Sequence, residues 1–253
     1  MRFSLSLLFV LFLAAFSLPA APVYGVHSEP FQWTYSASPF TSTTISTANR
    51  TDIARSSADS LGVQIAVTNF AGPANVVEAL RYEILTVAAM GPIQPTWVVD
   101  VLFDLAGTYS LGPQSLGSIA GHFSIGGTLG PGGIAQPAST TTLFGQSFGE
   151  NTNGAFHFVG TSQTPVPLTG SITVGLRLRA TAQNNGFVST LNSLHFGGAR
   201  VIDSTTGLAV AGATITSESG FDWTAPVPAS TPEPGTLALT GGALGCLLLL
   251  KRL

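Results

Sequence analysis

Two carboxylates on one predicted strand are the candidates for acid–base chemistry. Asp100 and Asp104 share one face of a predicted strand, where about 3.3 Å per residue separates their Cα atoms by roughly 13 Å. The carboxyl groups of a glycosidase lie about 5–9.5 Å apart, so this pair is too widely spaced unless the side chains lean together. Cross-strand ion pairs with Arg177 and Arg179 are the favoured interpretation, and no catalytic residue is predicted.

The histidines show no metal-binding pattern. His27, His122, His157 and His195 are isolated in the sequence and lack the short spacings of a histidine metal site. The glycine run at residues 126–133 is not followed by the Lys-Ser/Thr of a phosphate-binding loop. The sequence therefore predicts neither a metal site nor a cofactor.

Aromatic residues near the predicted mature N-terminus could contact a sugar. Phe31, Trp33 and Tyr35 alternate along one face of an extended segment, and aromatic rings can stack on the apolar faces of pyranoses. Trp33 and Tyr35 are therefore candidate carbohydrate contacts. In the alternative interpretation, which is preferred, Trp33 is the first core-facing residue of the first strand.

The charge composition argues against nucleic acid as a partner. Charged residues make up 8% of the chain, against a typical value of about 25%. Residues 26–230 hold six arginines and eleven carboxylates, for a net charge of −5, and the single lysine is Lys251. Phosphate binding needs a concentrated basic face, which this balance does not favour. The single cysteine, Cys246, leaves the predicted domain without a disulfide of its own.

Alternating hydrophobicity predicts β-strands along the body of the chain. The pattern is clearest at residues 60–70, 97–105 and 171–181, where apolar side chains recur at every second position. Shorter candidate strands are 41–48, 117–125, 155–159 and 194–202. Residues 129–154 are rich in Gly, Thr, Asn and Gln and are expected to form a long loop or a pair of edge strands.

Residues 76–89 fit two patterns. They contain good helix formers and an approximate helical stripe, yet their second half alternates as a strand does between two Gly-Pro turns. We expect a strand preceded by a short helical turn. With turn signals dividing the rest into short runs, the predicted fold class is an all-β antiparallel sandwich, jelly-roll-like or immunoglobulin-like, spanning residues 26–224.

The N-terminus has the features of a secretory signal peptide. Arg2 precedes an apolar run over residues 3–18, and small residues suited to a signal peptidase follow at 23–25. We predict a helical signal peptide at residues 1–25, with Ala20 and Ala21 as alternative cleavage sites. An uncleaved anchor is the other interpretation, against which the short apolar run argues.

The C-terminal tail combines a proline-rich linker, an apolar segment and a basic end. Residues 225–231 form the linker, and Pro232, Glu233 and Pro234 are expected to stay extended because the prolines fix φ and withhold N–H donors. The apolar residues 237–250 would make a helix of roughly 21 Å, shorter than the ~30 Å hydrocarbon core. By the positive-inside rule, Lys251 and Arg252 would lie at the cytoplasmic surface.

This order of features at residues 232–253 resembles the PEP-CTERM sorting signal of bacterial surface proteins. The resemblance implies cleavage near the Pro-Glu-Pro by a membrane protease of the exosortase type, whereas an ordinary short anchor is the alternative. Four further segments look like the β-rich domains that often precede this signal, and they transfer no catalytic residue. They include 82–84, 171–176, 198–203 and 219–223.

Two functions from different classes remain open on the sequence alone. The preferred one is a non-catalytic surface or matrix protein of a Gram-negative, exopolysaccharide-producing bacterium. It would pass through the inner membrane and then reside at the outer surface or in the extracellular matrix. The alternative is an exported carbohydrate-binding or polysaccharide-acting enzyme whose carboxylates come from separate strands.

Overall fold

Two large antiparallel sheets and one small two-stranded sheet contain the strands of the described part of the chain. The computed structural model describes residues 22–28, 33–68, 74–126, 129–130, 133–134, 139–191 and 194–228. The strands are β1 (Val23–Ser28), β2 (Thr34–Ser36), β3 (Phe40–Thr47), β4 (Arg50–Ser56), β5 (Ser60–Val67), β6 (Asn75–Ala88), β7 (Trp97–Leu111), β8 (Gly117–Ile125), β9 (Leu129–Gly130), β10 (Gly133–Ile134), β11 (Ser139–Phe148), β12 (Asn153–Pro165), β13 (Ser171–Ala182), β14 (Gly186–Ser189), β15 (Leu194–Asp203) and β16 (Thr214–Ser217). The predicted all-β class is confirmed.

The two sheets pack face to face as a sandwich. The front sheet has the order β11-β8-β13-β6-β1-β2, with β16 also paired to β6. The back sheet has the order β12-β7-β14-β5-β4-β3, with β15 paired to β5 and β7. Alternate side chains of both sheets point between them and form one hydrophobic core.

The strands with the clearest alternation lie where the sequence predicts them. In β5, Leu61, Val63 and Ile65 are fully buried, and in β13 every residue of the predicted apolar face is buried. Residues 129–154 contain β11, which forms an outer edge of the front sheet as the edge-strand alternative predicts, whereas β12, the outer strand of the back sheet, lies mostly beyond this range. The alternation succeeds because each of these strands has one face in the core.

The short helical turn expected within residues 76–89 is wrong. β6 begins at Asn75 and continues as one strand to Ala88, paired with β13 along twelve residues and with β1 along six. Helix propensity differs among ordinary residues by less than about 0.7 kcal/mol each. Two neighbouring strands supply backbone hydrogen bonds and burial that outweigh this preference.

The N-terminal strand begins before the predicted domain boundary. β1 starts at Val23, and Tyr24 is 2% exposed against the core. Cleavage after Gly25 would remove half of a paired strand, whereas cleavage after Ala20 or Ala21 would leave β1 intact. The rest of the predicted signal helix and the predicted C-terminal helix lie outside the described residues. No helix capable of crossing a membrane occurs among the residues that the structure describes.

Candidate functional site

Trp33 and Tyr35 lie on the outward face of the front sheet. Tyr35 of β2 pairs with Gly25 of β1, so Trp33 and Tyr35 share a face with His27. Trp33 is only partly buried, and the preferred prediction that it faces the core is wrong. The reason is register: the neighbouring strand directs Tyr24 and Val26, each 2% exposed, into the core instead.

Three rings on this face stack nearly parallel. The ring centroids of His27 and Trp33 are 4.9 Å apart at an interplanar angle of 15°, and those of Trp33 and Tyr35 are 5.7 Å apart at 9°. Gly25 allows this arrangement, because a Cβ atom there would lie 2.9 Å from Leu80 Cδ1 and 3.0 Å from Tyr35 Cδ1. The sequence therefore builds an aromatic surface over a glycine in the strand beneath it.

An ion pair borders the rings. Glu78 of β6 accepts hydrogen bonds from both Arg177 Nε, at 3.0 Å, and Arg177 Nη2, and it lies 3.2 Å from His27 Nδ1. The guanidinium carbon of Arg177 lies 5.8 Å from the centroid of the Trp33 ring. We call these five residues, His27, Trp33, Tyr35, Glu78 and Arg177, the aromatic–arginine patch. It offers apolar ring surface beside charged hydrogen-bond donors.

The pKa of one member of the patch is shifted. Burial raises the pKa of Tyr35 above its ordinary value, and Tyr82 adds to the rise while Arg177 opposes it. The Tyr35 phenol is therefore neutral at physiological pH.

A second polar cluster lies inside the sandwich. Arg81 and Glu83 occupy inward positions of β6 and are 1% and 0% exposed. Arg81 Nη2 donates to Glu83 Oε2 and, at 2.9 Å, to Ser219 Oγ. Glu83 also accepts hydrogen bonds from the Ser219 backbone N–H at 3.0 Å, from the Ser219 hydroxyl, and from Trp223 Nε1 at 3.0 Å. We call Arg81, Glu83, Ser219 and Trp223 the C-terminal clasp.

Aromatic rings surround the guanidinium of the clasp. The guanidinium carbon of Arg81 lies 5.0–5.7 Å from four ring centroids, those of Tyr24, Phe196, Phe221 and Trp223. Burial lowers the pKa of Arg81, and the Glu83 carboxylate opposes this shift. The nitrogens Nε and Nη1 have no hydrogen-bond partner among the described residues, so the ring faces provide their stabilisation.

A bulge in β15 completes the attachment of the C-terminal segment. The pairing of β15 with β7 shifts between Gly197 and Arg200, and Gly198 has φ of 58°, a conformation that favours glycine. The freed N–H groups of Gly198 and Ala199 donate to the carbonyls of Ala225 and Trp223 at 2.5 and 2.7 Å. The clasp thus brings together three of the four segments that resemble β-rich domains in the sequence, namely 82–84, 198–203 and 219–223.

The predicted partners of Asp100 and Asp104 are wrong. Both aspartates lie on β7 of the back sheet, whereas Arg177 and Arg179 lie on β13 of the front sheet and face Glu78. Asp100 instead pairs with Arg200 at 3.1 Å, and Asp104 with His157 at 3.0 Å. Strand order, which the sequence does not reveal, decides these partners.

The Asp104–His157 pair is expected to contribute little stability. The His157 side chain is 57% exposed, and exposed pairs contribute less than about 1 kcal/mol. Asp104→Ala should therefore leave the free energy of unfolding, measured by urea denaturation, within ~1 kcal/mol of wild type. Asp104→Asn serves as the shape-matched control. A loss above ~2 kcal/mol in both variants would contradict this prediction.

Two further sequence features have a structural context. Residues 145–149 match a Gly-x-Ser-x-Gly pattern, but they end strand β11, where Ser147 pairs with Ser118 and no helix follows as in a nucleophile elbow. Within the described ranges, no three His, Cys, Asp or Glu side chains are grouped to hold a metal ion. Pro232, Glu233, Pro234, Lys251 and Arg252 lie outside these ranges.

Comparison with known proteins leaves the geometry as the guide to function. No protein-family model matches the chain, and no curated protein or solved structure matches it. Sequence reasoning identified Trp33 and Tyr35 but missed His27, Glu78 and Arg177. The alternation of β13 places Arg177 on the outward face, and the sequence shows this. Its neighbours across the sheet can be identified only when the strand order is known.

Proposed function

We propose that the protein is an exported, non-catalytic cell-surface or exopolysaccharide-matrix protein that contacts polysaccharide through the aromatic–arginine patch. The observation that carries the proposal is the stack of His27, Trp33 and Tyr35 beside Arg177 on an outward sheet face. Aromatic and arginine side chains dominate the energetics of binding surfaces. Polysaccharide is the partner because the rings offer apolar surface on which a sugar ring can stack, while Arg177 offers charged hydrogen-bond donors beside them.

We also propose that the sandwich is a jelly roll. Eight strands, β5, β6, β7, β8, β11, β12, β13 and β14, supply the two four-stranded sets β5-β14-β7-β12 and β6-β13-β8-β11. Successive strands alternate between the sheets except for the pair β8 and β11, as two nested Greek keys require. Lectin domains are among the proteins built on this topology, so the jelly roll is compatible with sugar binding.

Export and sorting form the second part of the proposal. The signal peptide directs the chain to the inner membrane, where an exosortase-type protease recognises Pro232, Glu233 and Pro234 with Lys251 and Arg252 on the cytoplasmic side. The mature protein then reaches the outer surface or matrix of a Gram-negative bacterium. The start of β1 at Val23 supports signal cleavage at Ala20 or Ala21.

Intact mass tests the sorting. The protein recovered from membranes and medium is expected to end near Pro232, and only in a strain that has the sorting protease. A chain ending at Leu253 in both the parent and the protease-deficient strain would show an ordinary anchor instead.

The ion pairing of the carboxylates supports a non-catalytic role. Five described carboxylates on the strands are ion-paired with Arg or His, which favours a structural role over proton transfer. The pairs are Asp52–Arg50, Glu78–Arg177, Glu83–Arg81, Asp100–Arg200 and Asp104–His157.

An exported polysaccharide-acting enzyme is the second candidate, because the pKa of one carboxyl group is shifted upward, the direction that a general acid needs. Burial and the nearby charge of Glu83 raise the pKa of Glu218. Glu83 is fully buried in the clasp and cannot reach a substrate, so this pair cannot flank a glycosidic bond. Release of reducing ends from polysaccharide, abolished by Glu218→Gln, would favour the enzyme.

Trp33→Ala tests the polysaccharide contact. Because a stacked tryptophan is a dominant contact, the variant should bind at least about 10-fold more weakly in affinity electrophoresis through gels that contain polysaccharide. Leu168→Ala removes an exposed apolar side chain elsewhere and should migrate as wild type. Equal retardation of wild type and Trp33→Ala in every retarding polysaccharide would contradict the patch as the binding surface.

A further inference from the structure

The outward face of the front sheet is basic although the domain is acidic. On the described outward positions of β1, β6, β8 and β13, the charged residues are Arg177, Arg179 and Glu78, accompanied by His27 and His122. Two arginines therefore face one carboxylate on these four strands. Residues 26–230 as a whole carry a net charge of −5, so the front face is a local exception.

The single negative charge of Glu78 cannot neutralise the two positive charges of Arg177 and Arg179. Glu78 Oε1 accepts from Arg177 and lies 3.6 Å from Arg179 Nε, which is too far for a hydrogen bond, while Oε2 faces His27. Arg179 Nε is shielded from solvent and has no hydrogen-bond partner among the described residues. The side chains of Arg177 and Arg179 are nevertheless 41% and 43% exposed. An anion could reach both guanidinium groups without displacing Glu78.

We propose that the aromatic–arginine patch, together with Arg179, recognises an acidic polysaccharide. The carboxylate of a uronic acid residue binds the exposed guanidinium groups of Arg177 and Arg179, and a neighbouring sugar ring packs against Trp33 and Tyr35. This inference rests on the proposed polysaccharide contact and names its chemical class. Arginine suits the role because its planar donors match a carboxylate and its face tolerates aromatic neighbours.

His122 reports the positive potential of this surface. Burial lowers the pKa of His122, and the charges of Arg177 and Arg179 on β13 lower it further, while Glu78 on β6 opposes the shift. From β11 the neighbouring group is uncharged: Thr142 Oγ1 lies 3.4 Å from His122 Nδ1. A bound carboxylate would offset the arginine charges and raise the pKa of His122. By reciprocity, the acidic polysaccharide should bind more tightly as pH falls through the His122 titration.

A matched pair of probes tests the proposal. Binding of the mature protein to polygalacturonate and to its fully methyl-esterified form, which has the same backbone without charge, is measured by calorimetry at low and at 0.5 M salt. Polygalacturonate should bind at least about 10-fold more tightly than the ester at low salt, because each charge-assisted hydrogen bond is stronger than a neutral one. This advantage should shrink at high salt.

Arginine variants test whether the preference for polygalacturonate arises from the patch and Arg179. Arg177→Gln and Arg179→Gln should each remove most of the preference for polygalacturonate over the ester, and Arg177→Lys should restore part of that preference. Arg200→Gln neutralises a 63% exposed arginine on the back sheet and is the matched control. Far-UV circular dichroism confirms that each variant is folded. The pKa of His122, followed by NMR, should rise with polygalacturonate and not with the ester.

The outcomes separate this inference from the function on which it rests. Equal, Trp33-dependent binding of both probes, unaffected by Arg177→Gln and Arg179→Gln, would overturn the acidic preference and leave the polysaccharide contact standing. If the protein bound neither probe and no neutral polysaccharide, both the acidic preference and the polysaccharide contact would be overturned. Polyglutamate binding as tight as polygalacturonate binding and insensitive to Trp33→Ala would show a general anion site and overturn the recognition of sugar.

Discussion

Glu83→Ala is expected to reduce the free energy of unfolding by about 3–5 kcal/mol, the typical cost of removing one partner from a buried ion pair. Arg81 would remain 1% exposed with its charge uncompensated. The Trp223 indole N–H and the Ser219 backbone N–H would also lose their acceptor. Urea denaturation followed by tryptophan fluorescence measures the loss, and limited proteolysis should detect release of the segment after β16.

A paired variant distinguishes the buried charge from simple loss of packing. Arg81→Met with Glu83→Leu removes both charges and fills most of the space, and such replacements are often neutral or stabilising. The double variant should therefore be more stable than Glu83→Ala alone. If the double variant were no more stable than Glu83→Ala, the uncompensated charge of Arg81 would not be the cause of the loss.

Trp223→Ala is the second large effect, with an expected loss of about 3–5 kcal/mol. Trp223 is 1% exposed, stacks on Phe196 at a centroid distance of 5.0 Å and contacts Phe221 edge-on at 5.6 Å. Truncation leaves a cavity between these rings and takes away one ring face from the Arg81 guanidinium. Thermal and urea denaturation should show the loss with an unchanged dependence on denaturant.

Trp223→Phe separates the loss of the hydrogen bond from the loss of the aromatic ring. It keeps an aromatic face but removes the Nε1–H donor to Glu83, so its cost should be smaller, about 1–3 kcal/mol. Equal stability of Trp223→Ala and wild type would mean that the segment after β16 is not part of the cooperative unit.

These two predictions concern the attachment of the C-terminal segment to the sandwich. The clasp and the hydrogen bonds from Gly198 and Ala199 hold the chain as far as Ala225, where the proline-rich residues begin. A mechanical force that pulls on the linker would therefore be transmitted to β6 and β15, which lie in the interior of the two sheets. For a protein proposed to reside in a matrix, this attachment keeps the folded domain intact up to the linker.

Alternation made much of the fold predictable. β5, β8 and β13 have one face in the core, so their apolar residues recur with period two and their positions follow from the sequence. β6 was harder because its inward positions include Arg81 and Glu83, which break the apolar pattern and favour helix locally. A buried ion pair enclosed by aromatic rings has no signature in a single sequence.

The candidate site was predictable only in part. Trp33 and Tyr35 were recognised as ring pairs by their spacing, yet their exposure depended on the register of β2 against β1. Arg177 was visible as an outward residue of its strand. Its assignment to Glu78 and Trp33, rather than to Asp100 and Asp104, required knowledge of which strands share a sheet.

The sequence by itself determined the β class, the alternation of the main strands and the scarcity of charge, and export signals at both ends stay a prediction from it. These properties are local, because periodicity and composition act over a few neighbouring residues. The tertiary structure decided the partners of the charged groups, the outward position of Trp33 and the enclosure of Arg81. Those contacts join residues far apart in the chain, such as Glu83 with Trp223 and Glu78 with Arg177. Strand order and register, which create them, result from packing the whole core at once.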